Sequence, residues 1–514
     1  MRGLYQPSSG ADLVAHALNN DPDRPVIILG PQDVVTAGQL RDAISRYVQL
    51  FDTLSPKPVR AALLSKNRPE VPGVFYAFSF AGIISTPLHP MGSLEDYLYV
   101  LGDAGIDTLI YDEAFEEVVG KLADQVPGLN HLLAIGKGGI GGSIDALSAG
   151  FTPGPLVPPA VLPDDIARIA YSGGTTGQPK GILIPHRSTV ASTTTQLTEW
   201  EWPDEVRHLI CSPLSHAGAS VLTTILHKRG AMFVLPGFDP VSFMQAIEAN
   251  RITSTLMVPT MVLALIDHPR FGEFDLSSLE VIFYGASAFP PSRLKEAIAK
   301  LGSIFFQFYG QTEAPLCISA LRKAEHLPDD PLRLASCGRP TPWVQIALLD
   351  EDCRQVPDGQ PGEICVRGPQ VMLGYLNKPE ETEQAFKGGW LHTGDVAVRN
   401  PDGFLRIVDR KKDMIISGGF NVFAREVEDV IAAHPSVAQV AVIGLPDAKW
   451  GEAVTAIVVA SGPVEAADVI ALVRAEKGPV QAPKRVIFVE AIPLSAVGKP
   501  DKKALRTRFA EPVI

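Results

Sequence analysis

Cysteine is scarce in this chain, and its spacing excludes two classes of protein. The five cysteines are Cys211, Cys317, Cys337, Cys353 and Cys365, and no two of them are close enough to form a Cys-x-x-Cys pair. Disulfide-framed secreted domains are short and rich in cysteine, and zinc fingers need closely spaced cysteines, so neither interpretation fits. Reduced, unpaired thiols are the default of the cytosol, and we therefore expect a cytoplasmic protein.

Long apolar segments and basic runs are also missing. The longest apolar stretch, residues 74–84, falls short of the ~20 residues that a membrane-spanning helix needs, and we expect no transmembrane segment. The beginning of the chain lacks the basic and apolar regions of a signal peptide. The formal net charge is −12 and no cluster of lysine and arginine offsets it, so general nucleic-acid binding is not expected.

What is present is an α/β pattern longer than one usual domain. The chain has 514 residues, of which 46% are hydrophobic and 20% charged, so we expect more than one core. Apolar runs alternate with helical patterns, and the helices predicted include residues 216–228, 240–250, 291–301 and 466–477. This alternation predicts a large N-terminal domain of mixed and parallel sheets covered by helices. We place this domain at residues 1–409, with a β-rich subdomain at about 340–408 and a small α+β domain at 410–514. The Pro- and Gly-rich residues 136–163 read as a surface connection.

The most informative segment is residues 171–181, which lies between two apolar runs. It contains four glycines, three hydroxyl side chains (Ser172, Thr175 and Thr176) and Lys180. Backbone N–H groups of glycines can turn inward to bind anions, and the hydroxyls and the ammonium add donors for phosphate oxygens. A plain hairpin turn explains the glycines but not the other donors. Neither a Walker motif nor a Gly-x-Gly-x-x-Gly crossover fits, because the segment runs from strand to strand.

This segment resembles the phosphate loop of the adenylate-forming superfamily, which includes acyl- and aryl-CoA ligases, peptide-synthetase adenylation domains and beetle luciferases. Four further motifs of the family follow in the family's order, so the resemblance covers nearly the whole chain. They are residues 309–313, residues 389–395, residues 409–413 running into 417–421, and residues 498–505.

The resemblance implies a reaction in two halves. A carboxylate attacks the α-phosphate of MgATP to give an acyl-adenylate and pyrophosphate, and the thiol of coenzyme A then displaces AMP. ATP, Mg²⁺ and coenzyme A are therefore the expected cofactors, with a small carboxylic acid as substrate. Homodimer formation is left open.

Four residues match the family's catalytic positions. Lys499 would bridge the carboxylate and the α-phosphate, Glu313 would bind Mg²⁺, and Thr312 would contact the α-phosphate region. His216 would line the acyl site and gate it. Taken singly, Lys499 could be a solvated surface lysine, Glu313 a helix cap, and His216 a local packing or capping residue.

Further residues match the family's nucleotide and thiol sites. Asp395 and Arg410 would hold the ribose, while Tyr309 and residues 285–287 would enclose the adenine, although the latter depart from the family's common pattern. Tyr309 could also be a core aromatic and Asp395 a turn residue. Gly418 and Gly419 would border the pantetheine channel. The cofactor-binding residues implied are Ser172, Gly173, Gly174, Thr175, Thr176, Gly177, Lys180, Gly285, Ala286, Ser287, Tyr309, Gly310, Gln311, Asp395, Arg410, Gly418 and Gly419.

Asp409 matches the hinge about which the family's C-terminal domain rotates between the two half-reactions. We expect a charged, exposed side chain there, since such a residue can absorb a backbone change without unpacking a core.

Two alternative functions are weighed against an acid–CoA ligase. A stand-alone adenylation enzyme would load its acid onto a carrier-protein thiol, and a catalytically dead scaffold would only bind nucleotide. An amino-acid substrate is disfavoured, because residues 217–221 contain no acidic side chain to hold an ammonium group. The segments expected to form the acyl pocket (216–222, 283–288, 306–310 and 316–319) are apolar and rich in small residues. They predict a hydrophobic acid, whether aliphatic, alicyclic, steroid-like or aromatic.

Overall fold

A computed structural model describes residues 8–30, 32–172, 179–447, 449–494 and 500–510, with the backbone alone at Ser172. The strands are β1 Pro25–Ile28, β2 Val34–Thr36, β3 Arg60–Leu64, β4 Ile84–Leu88, β5 Thr108–Asp112, β6 His131–Ile135, β7 Ile166–Ser172, β8 Lys180–Pro185, β9 Arg207–Ile210, β10 Ala231–Val234, β11 Ser254–Met257, β12 Val281–Gly285, β13 Phe305–Gln311, β14 Ala314–Leu321, β15 Arg339–Pro340, β16 Gln345–Leu349, β17 Gly362–Arg367, β18 Gly374–Tyr375, β19 Leu391–Arg399, β20 Leu405–Arg410, β21 Ile415–Ser417, β22 Phe420–Val422, β23 Val437–Asp447, β24 Gly451–Ala460 and β25 Arg485–Phe488.

The helices complete the layers of this α/β arrangement. They are α1 Gly10–Asn19, α2 Ala37–Thr53, α3 Val71–Ala81, α4 Leu94–Ala104, α5 Glu116–Gln125, α6 Ile144–Ser148, α7 His186–Glu199, α8 Leu222–His227, α9 Pro240–Asn250, α10 Pro259–Ile266, α11 Pro291–Leu301, α12 Pro331–Leu334, α13 Pro379–Ala385, α14 Ala424–Ala432, α15 Ala466–Gln481 and α16 Lys502–Phe509. None of the described helices has both the length and the apolar character needed to cross a membrane.

Two large sheets dominate the first three quarters of the chain. The first has the strand order β15-β14-β13-β12-β11-β9-β10-β1-β2, with a parallel centre from β13 to β1. The second has the order β18-β8-β7-β4-β3-β5-β6 and is parallel from β7 to β6. Parallel strands need crossover connections, which the helices between them supply. The mixed and parallel α/β fold predicted from the sequence is confirmed.

Two smaller sheets follow. An antiparallel sheet of order β16-β17-β19-β20 occupies the part where short strands and turns predict a β-rich unit. Beyond it, β22-β21-β24-β23 with β25 beside β24 is packed against α14 and α15. A non-helical glycine, Gly478 with φ 84°, breaks α15 where the sequence predicts the helix to end.

Helix bounds follow from local chemistry where the caps are strong. Asp239 accepts the Ser242 backbone N–H at the start of α9, and a proline stands at the first helical position. In α11, Pro291 begins the helix and Gly302, with φ 88°, ends it. Both helices have the bounds that the sequence predicts.

Two predictions of local structure need correction. Residues 136–163 are more than a surface connection, because they contain α6, whose Ile144 is fully buried and whose start is capped by Ser143. The helix predicted from residue 216 begins instead as a 3₁₀ turn over Ala217–Val221 before α8. Gly218 packs tightly there, since a Cβ on it would lie 2.6 Å from the Ser212 carbonyl oxygen.

Candidate active site

The predicted phosphate loop joins two antiparallel strands. Ser172 at the end of β7 pairs with Lys180 at the start of β8, so the strand-to-strand prediction is confirmed. The loop itself is not described. The candidates that lie outside the described residues are Gly173, Gly174, Thr175, Thr176, Gly177, the side chain of Ser172 and Lys499.

Lys180 and Glu313 meet at one tyrosine. The Lys180 ammonium lies 4.9 Å from the centre of the Tyr375 ring. The Tyr375 phenol donates a hydrogen bond of 3.1 Å to Glu313 Oε1. Burial raises the pKa of Glu313, whereas the hydrogen bond from Tyr375 works in the opposite direction. The structure therefore brings the phosphate-loop lysine and the expected Mg²⁺ ligand to the same place.

Thr312 and Glu313 occupy the tight turn between β13 and β14. Gly310 permits this turn, because a Cβ there would lie 2.3 Å from the Leu316 backbone nitrogen. Gln311 precedes the turn and pairs with Ala314 across it. Glu313 is thus half-buried at a strand end, on the edge where ligands of parallel α/β sheets bind.

A second cluster joins Tyr309, Asp395 and Arg410. The Tyr309 phenol donates a 2.6 Å hydrogen bond to Asp395 Oδ2, and Arg410 Nε lies 3.3 Å from Asp395 Oδ1. Burial, followed by the Asp395 charge, holds the pKa of Tyr309 well above its ordinary value, so the phenol keeps the proton it donates. The three residues that the resemblance assigns to adenine and ribose are in direct contact.

Asp395 is held in place by its own strand and by Glu363 on β17. Glu363 Oε1 accepts the Gly394 backbone N–H at 2.9 Å, and Oε2 lies 3.0 Å from His392 Nδ1 and 3.4 Å from Lys411 Nζ. Cys365 Sγ also lies 3.4 Å from His392 Nδ1. Carboxylate, thiol and imidazole groups are common metal ligands, but both oxygens of Glu363 already have hydrogen-bonding partners. We interpret the cluster as a brace for the strand that carries Asp395.

The end of β12 carries a run of small residues, 285–288. Gly285 is packed so closely that a Cβ would lie 2.3 Å from the Phe308 carbonyl oxygen. Ala286 adopts φ 65°, which is uncommon for a residue with a side chain, and Ser287 follows it at the strand end. Because β12 and β13 are parallel neighbours, residues 285–287 and Tyr309 lie at the same edge of the sheet.

His216 lies beside a second histidine, His89, which was not predicted as a site residue. The rings of His89 and His216 are 4.9 Å apart in an edge-on arrangement. Desolvation, followed by the neighbouring His89, lowers the pKa of His216 to about 4. Its ring is therefore neutral at pH 7. His89 follows β4 and His216 follows β9, so this pair joins the two large sheets.

Asp409 corrects an expectation. The side chain is only 4% exposed, not solvated as a pivot was expected to be. Its carboxylate accepts the backbone N–H groups of Arg410 and Ala424, the latter at the start of α14. Burial raises the pKa of Asp409 to about 6, against the nearby Lys502 charge. The reason is that the carboxylate accepts the Ala424 N–H at the start of α14 and is shielded by that helix.

Gly418 and Gly419 form the tip of the β21–β22 hairpin. Their φ values of 60° and 82° are those of a tight two-residue turn that glycine makes without strain. Gly418 also contacts Trp450, whose carbonyl accepts its N–H at 2.7 Å. The assignment of this pair to the pantetheine channel stays a prediction.

Part of the predicted acyl pocket is core. Phe283, Phe306 and Phe308 are buried, and their rings pack against Trp200 at centroid distances of 4.7, 5.6 and 5.2 Å. The sequence pattern could not separate these inward rings from pocket walls, because β12 and β13 alternate between two buried faces. Tyr375, His89 and Glu363 were also missed. Glu363 and Tyr375 are signalled only by sheet pairing, which joins residues far apart in sequence.

Comparison with known proteins identifies the family. Models described as "AMP-binding enzyme" and "AMP-binding enzyme C-terminal domain" match residues 14–376 and 426–499. This chain belongs to the AMP-binding enzyme family. The resemblance inferred from the five motifs is thereby confirmed, and the chain is an enzyme.

Several relatives of this AMP-binding enzyme extend over nearly all of it. Medium/long-chain-fatty-acid–CoA ligase FadD8 of Mycobacterium tuberculosis is 49% identical, covering 99% of this chain and 91% of that protein. A feruloyl-CoA synthase of Amycolatopsis is 34% identical over 88% and 89% of the two chains. The structure of amide bond synthetase McbA from Marinactinospora thermotolerans has a TM-score of 0.90 at 31% identity, covering 98% of this chain and all 100% of that one.

Proposed function

We propose that this AMP-binding enzyme is an ATP-dependent acid–CoA ligase whose preferred acids are medium- or long-chain fatty acids. The observation that carries the proposal is the site itself: Tyr309, Asp395 and Arg410 form one contact cluster. Lys180 and Glu313 meet at Tyr375 at the strand ends nearby. The 49% identity to a fatty-acid–CoA ligase over nearly the whole chain supports the ligase activity and the choice of acid.

The first half-reaction joins two anions. The substrate carboxylate oxygen attacks the α-phosphorus of ATP, the bond to the bridging oxygen breaks, and pyrophosphate leaves with its electron pair. Asp395 would accept hydrogen bonds from the ribose hydroxyls. Tyr309 would hold the Asp395 carboxylate in place. Lys180 would bind phosphate oxygens, and Lys499 would offset the repulsion between the carboxylate and the α-phosphate.

The Glu313 carboxylate fits a magnesium site in this reaction. Mg²⁺ takes one or two protein carboxylates together with phosphate oxygens, and Glu313 presents one carboxylate with a single oxygen held by Tyr375. When bound, the ion neutralises charge on the phosphates. Glu313 and Thr312 would hold that end of the nucleotide.

The second half-reaction exchanges AMP for a thiol. The sulfur of coenzyme A attacks the acyl carbonyl carbon, a thioester forms, and AMP leaves through its phosphate oxygen. We assign the Gly418–Gly419 hairpin to the path of the pantetheine arm and Asp409 to the hinge between domains 1–409 and 410–514. His216 would border the acyl group as a neutral ring, so it adds a hydrogen bond and no charge.

The acceptor is coenzyme A rather than a carrier protein, since the relatives that support the function are CoA ligases. An amino acid is disfavoured by the absence of an acidic side chain in residues 217–221. A cytoplasmic location and formation of a homodimer stay predictions.

A panel of acids tests the proposal directly. Purified enzyme would be given ATP and Mg²⁺ with octanoate, palmitate, ferulate or an amino acid, and AMP release measured with and without coenzyme A. We expect the fastest release with the fatty acids and a requirement for coenzyme A. Faster turnover with ferulate would overturn the choice of acid, and acceptance of a carrier-protein thiol in place of coenzyme A would overturn the acceptor.

Substituting Lys499 separates the half-reactions. Lys499→Ala is expected to slow acyl-adenylate formation by about two to three orders of magnitude, because one preorganised charge contributes ~3–4 kcal/mol. Thioester formation from supplied acyl-adenylate should change little. The matched control is Lys503→Ala, a neighbouring exposed lysine in α16. Equal loss of both half-reactions would contradict the assigned role.

A further inference from the structure

One short segment connects the two large sheets at the active site. Residues 369–376, here called the bridging segment, hydrogen-bond to both of them. The Met372 N–H donates to the Glu313 carbonyl at 2.8 Å, and the Leu376 N–H donates to the Gly181 carbonyl at 2.7 Å. Glu313 follows β13 of the first sheet, whereas Gly181 lies in β8 of the second. The backbone of the bridging segment therefore fixes the Glu313 turn relative to the phosphate hairpin.

Tyr375 repeats this connection with its side chain. Its ring lies 4.9 Å from Lys180 Nζ, and its phenol donates to Glu313 Oε1 at 3.1 Å. The tyrosine is itself held, because it pairs with Ile182 on β8 and its backbone N–H donates to Thr382 Oγ1 at 2.9 Å. A half-buried ring fixed in this way can orient both of its charged neighbours.

The geometry at Glu313 leaves one carboxylate oxygen for another partner. The phenol holds Oε1, and no side chain among the described residues donates a hydrogen bond to Oε2. A phenol that donates to one oxygen favours the ionised carboxylate and sets its direction. Lys180, held against the face of the same ring by a cation–π contact, stays on the side of the phosphate hairpin.

We propose that Tyr375 is a positioning residue that fixes Glu313 and Lys180 relative to each other, so that a Mg²⁺–nucleotide complex meets both at once. This inference rests on the proposed function. It assigns no bond-making role to Tyr375, which acts only through its two neighbours.

Two substitutions separate the two contacts. Tyr375→Phe removes the hydrogen bond to Glu313 but keeps the ring beneath Lys180. Tyr375→Leu removes both. The readout is the equilibrium affinity for a non-hydrolysable ATP analogue, measured by calorimetry with Mg²⁺ and again with EDTA, so no turnover is needed.

We expect Tyr375→Phe to reduce the gain in affinity that Mg²⁺ gives by about three- to tenfold, the range for loss of an ordinary hydrogen bond, because the phenol acts on the ion only by orienting Glu313. Its affinity in EDTA should match that of the unsubstituted enzyme. Tyr375→Leu should show the same loss and, in addition, bind the analogue about two- to fivefold more weakly in EDTA, because the cation–π contact is gone.

The control is Tyr111→Phe on β5, which also removes one phenol hydrogen bond, here to the Ile140 carbonyl. It should leave both affinities unchanged. If the unsubstituted enzyme gains no affinity from Mg²⁺, the proposed function is at fault. If the unsubstituted enzyme gains affinity from Mg²⁺ and Tyr375→Phe gains the same amount, only the positioning role is overturned. Tyr375→Phe is the deciding variant if Tyr375→Leu fails to fold.

Discussion

Asp395 and Asp409 are two buried carboxylates on neighbouring strands, and they do different work. Asp395 on β19 is 6% exposed and Asp409 on β20 is 4% exposed. The register pairs Asp395 with Arg410 and Val396 with Asp409, so the two carboxylates belong to adjacent rows of the sheet. Adjacent rows point to opposite faces. Asp395 meets side chains at the candidate nucleotide site, whereas Asp409 meets the backbone of α14.

This difference shows that one residue of register separates a carboxylate at the candidate nucleotide site from a structural one. Asp395 is paired with a phenol and a guanidinium, groups that would leave its charge available to ribose hydroxyls. Asp409 accepts two backbone N–H groups while burial raises its pKa to about 6. We therefore expect loss of the first to affect nucleotide binding and loss of the second to affect stability.

The largest effect is expected at Asp395. Asp395→Asn keeps an oxygen for Tyr309 but removes the charge and replaces one acceptor with a donor. Loss of a charge-assisted hydrogen bond costs ~1.5–3 kcal/mol, so the KM for ATP should rise roughly tenfold to hundredfold. Steady-state kinetics with saturating acid and coenzyme A would measure it.

The control for Asp395 is Asp402→Asn, at the exposed turn between β19 and β20, which should leave the KM for ATP unchanged. An unchanged KM in Asp395→Asn would place the ribose elsewhere and remove the contrast between the two carboxylates.

Asp409 should instead change how stability depends on pH. Its folded pKa of about 6 lies above the ordinary value of 3.8, so its contribution to stability is complete below pH 3.8 and is lost as the pH rises through about 6. Asp409→Asn removes this titration. Between pH 4.5 and 7.5 the unfolding free energy of the variant, relative to that of the unsubstituted enzyme, should rise by on the order of 2 kcal/mol.

Urea unfolding at several pH values would measure this effect. If the unfolding free energies of the two proteins change in parallel across the pH range, Asp409 does not titrate near pH 6. The inference that burial raises the pKa of its carboxylate would then fail.

The smallest effect is expected at Tyr309. Tyr309→Phe keeps the ring beside residues 285–287 but removes the hydrogen bond to Asp395. We expect the KM for ATP to rise about threefold to fivefold, because the carboxylate keeps Arg410 and loses only its orienting donor. A rise as large as that of Asp395→Asn would indicate that the phenol itself, and not the carboxylate, dominates ribose binding.

Most of the fold could be predicted from the pattern along the chain. The bounds of α9 and α11 were predicted correctly because proline, an acidic cap and a terminal glycine mark their ends locally. The 3₁₀ turn before α8 was missed because its cause is not local: Gly218 is pressed against the carbonyls of residues 212 and 213. α6 was missed because five residues inside a Gly- and Pro-rich segment are too few for a helical periodicity to be recognised.

The candidate site was predicted in part for the same reason. Motifs identified Glu313, Asp395, Tyr309 and Arg410, and the structure brings the last three together. Tyr375 has no signal of its own in the sequence. Its importance arises from the pairing of β18 with β8, which places it between two residues that are 195 and 62 positions away along the chain.

Motifs and local patterns along the chain were enough to identify the family, the α/β alternation, and the residue types that a nucleotide and a carboxylate need. These properties depend on short-range periodicity, capping and motif chemistry, which the chain carries locally. Only the tertiary structure decided which of those residues touch. It buried Asp409, joined Tyr309 to Asp395, and placed Tyr375 between Lys180 and Glu313, because sheet register and packing bring together residues that no local pattern relates.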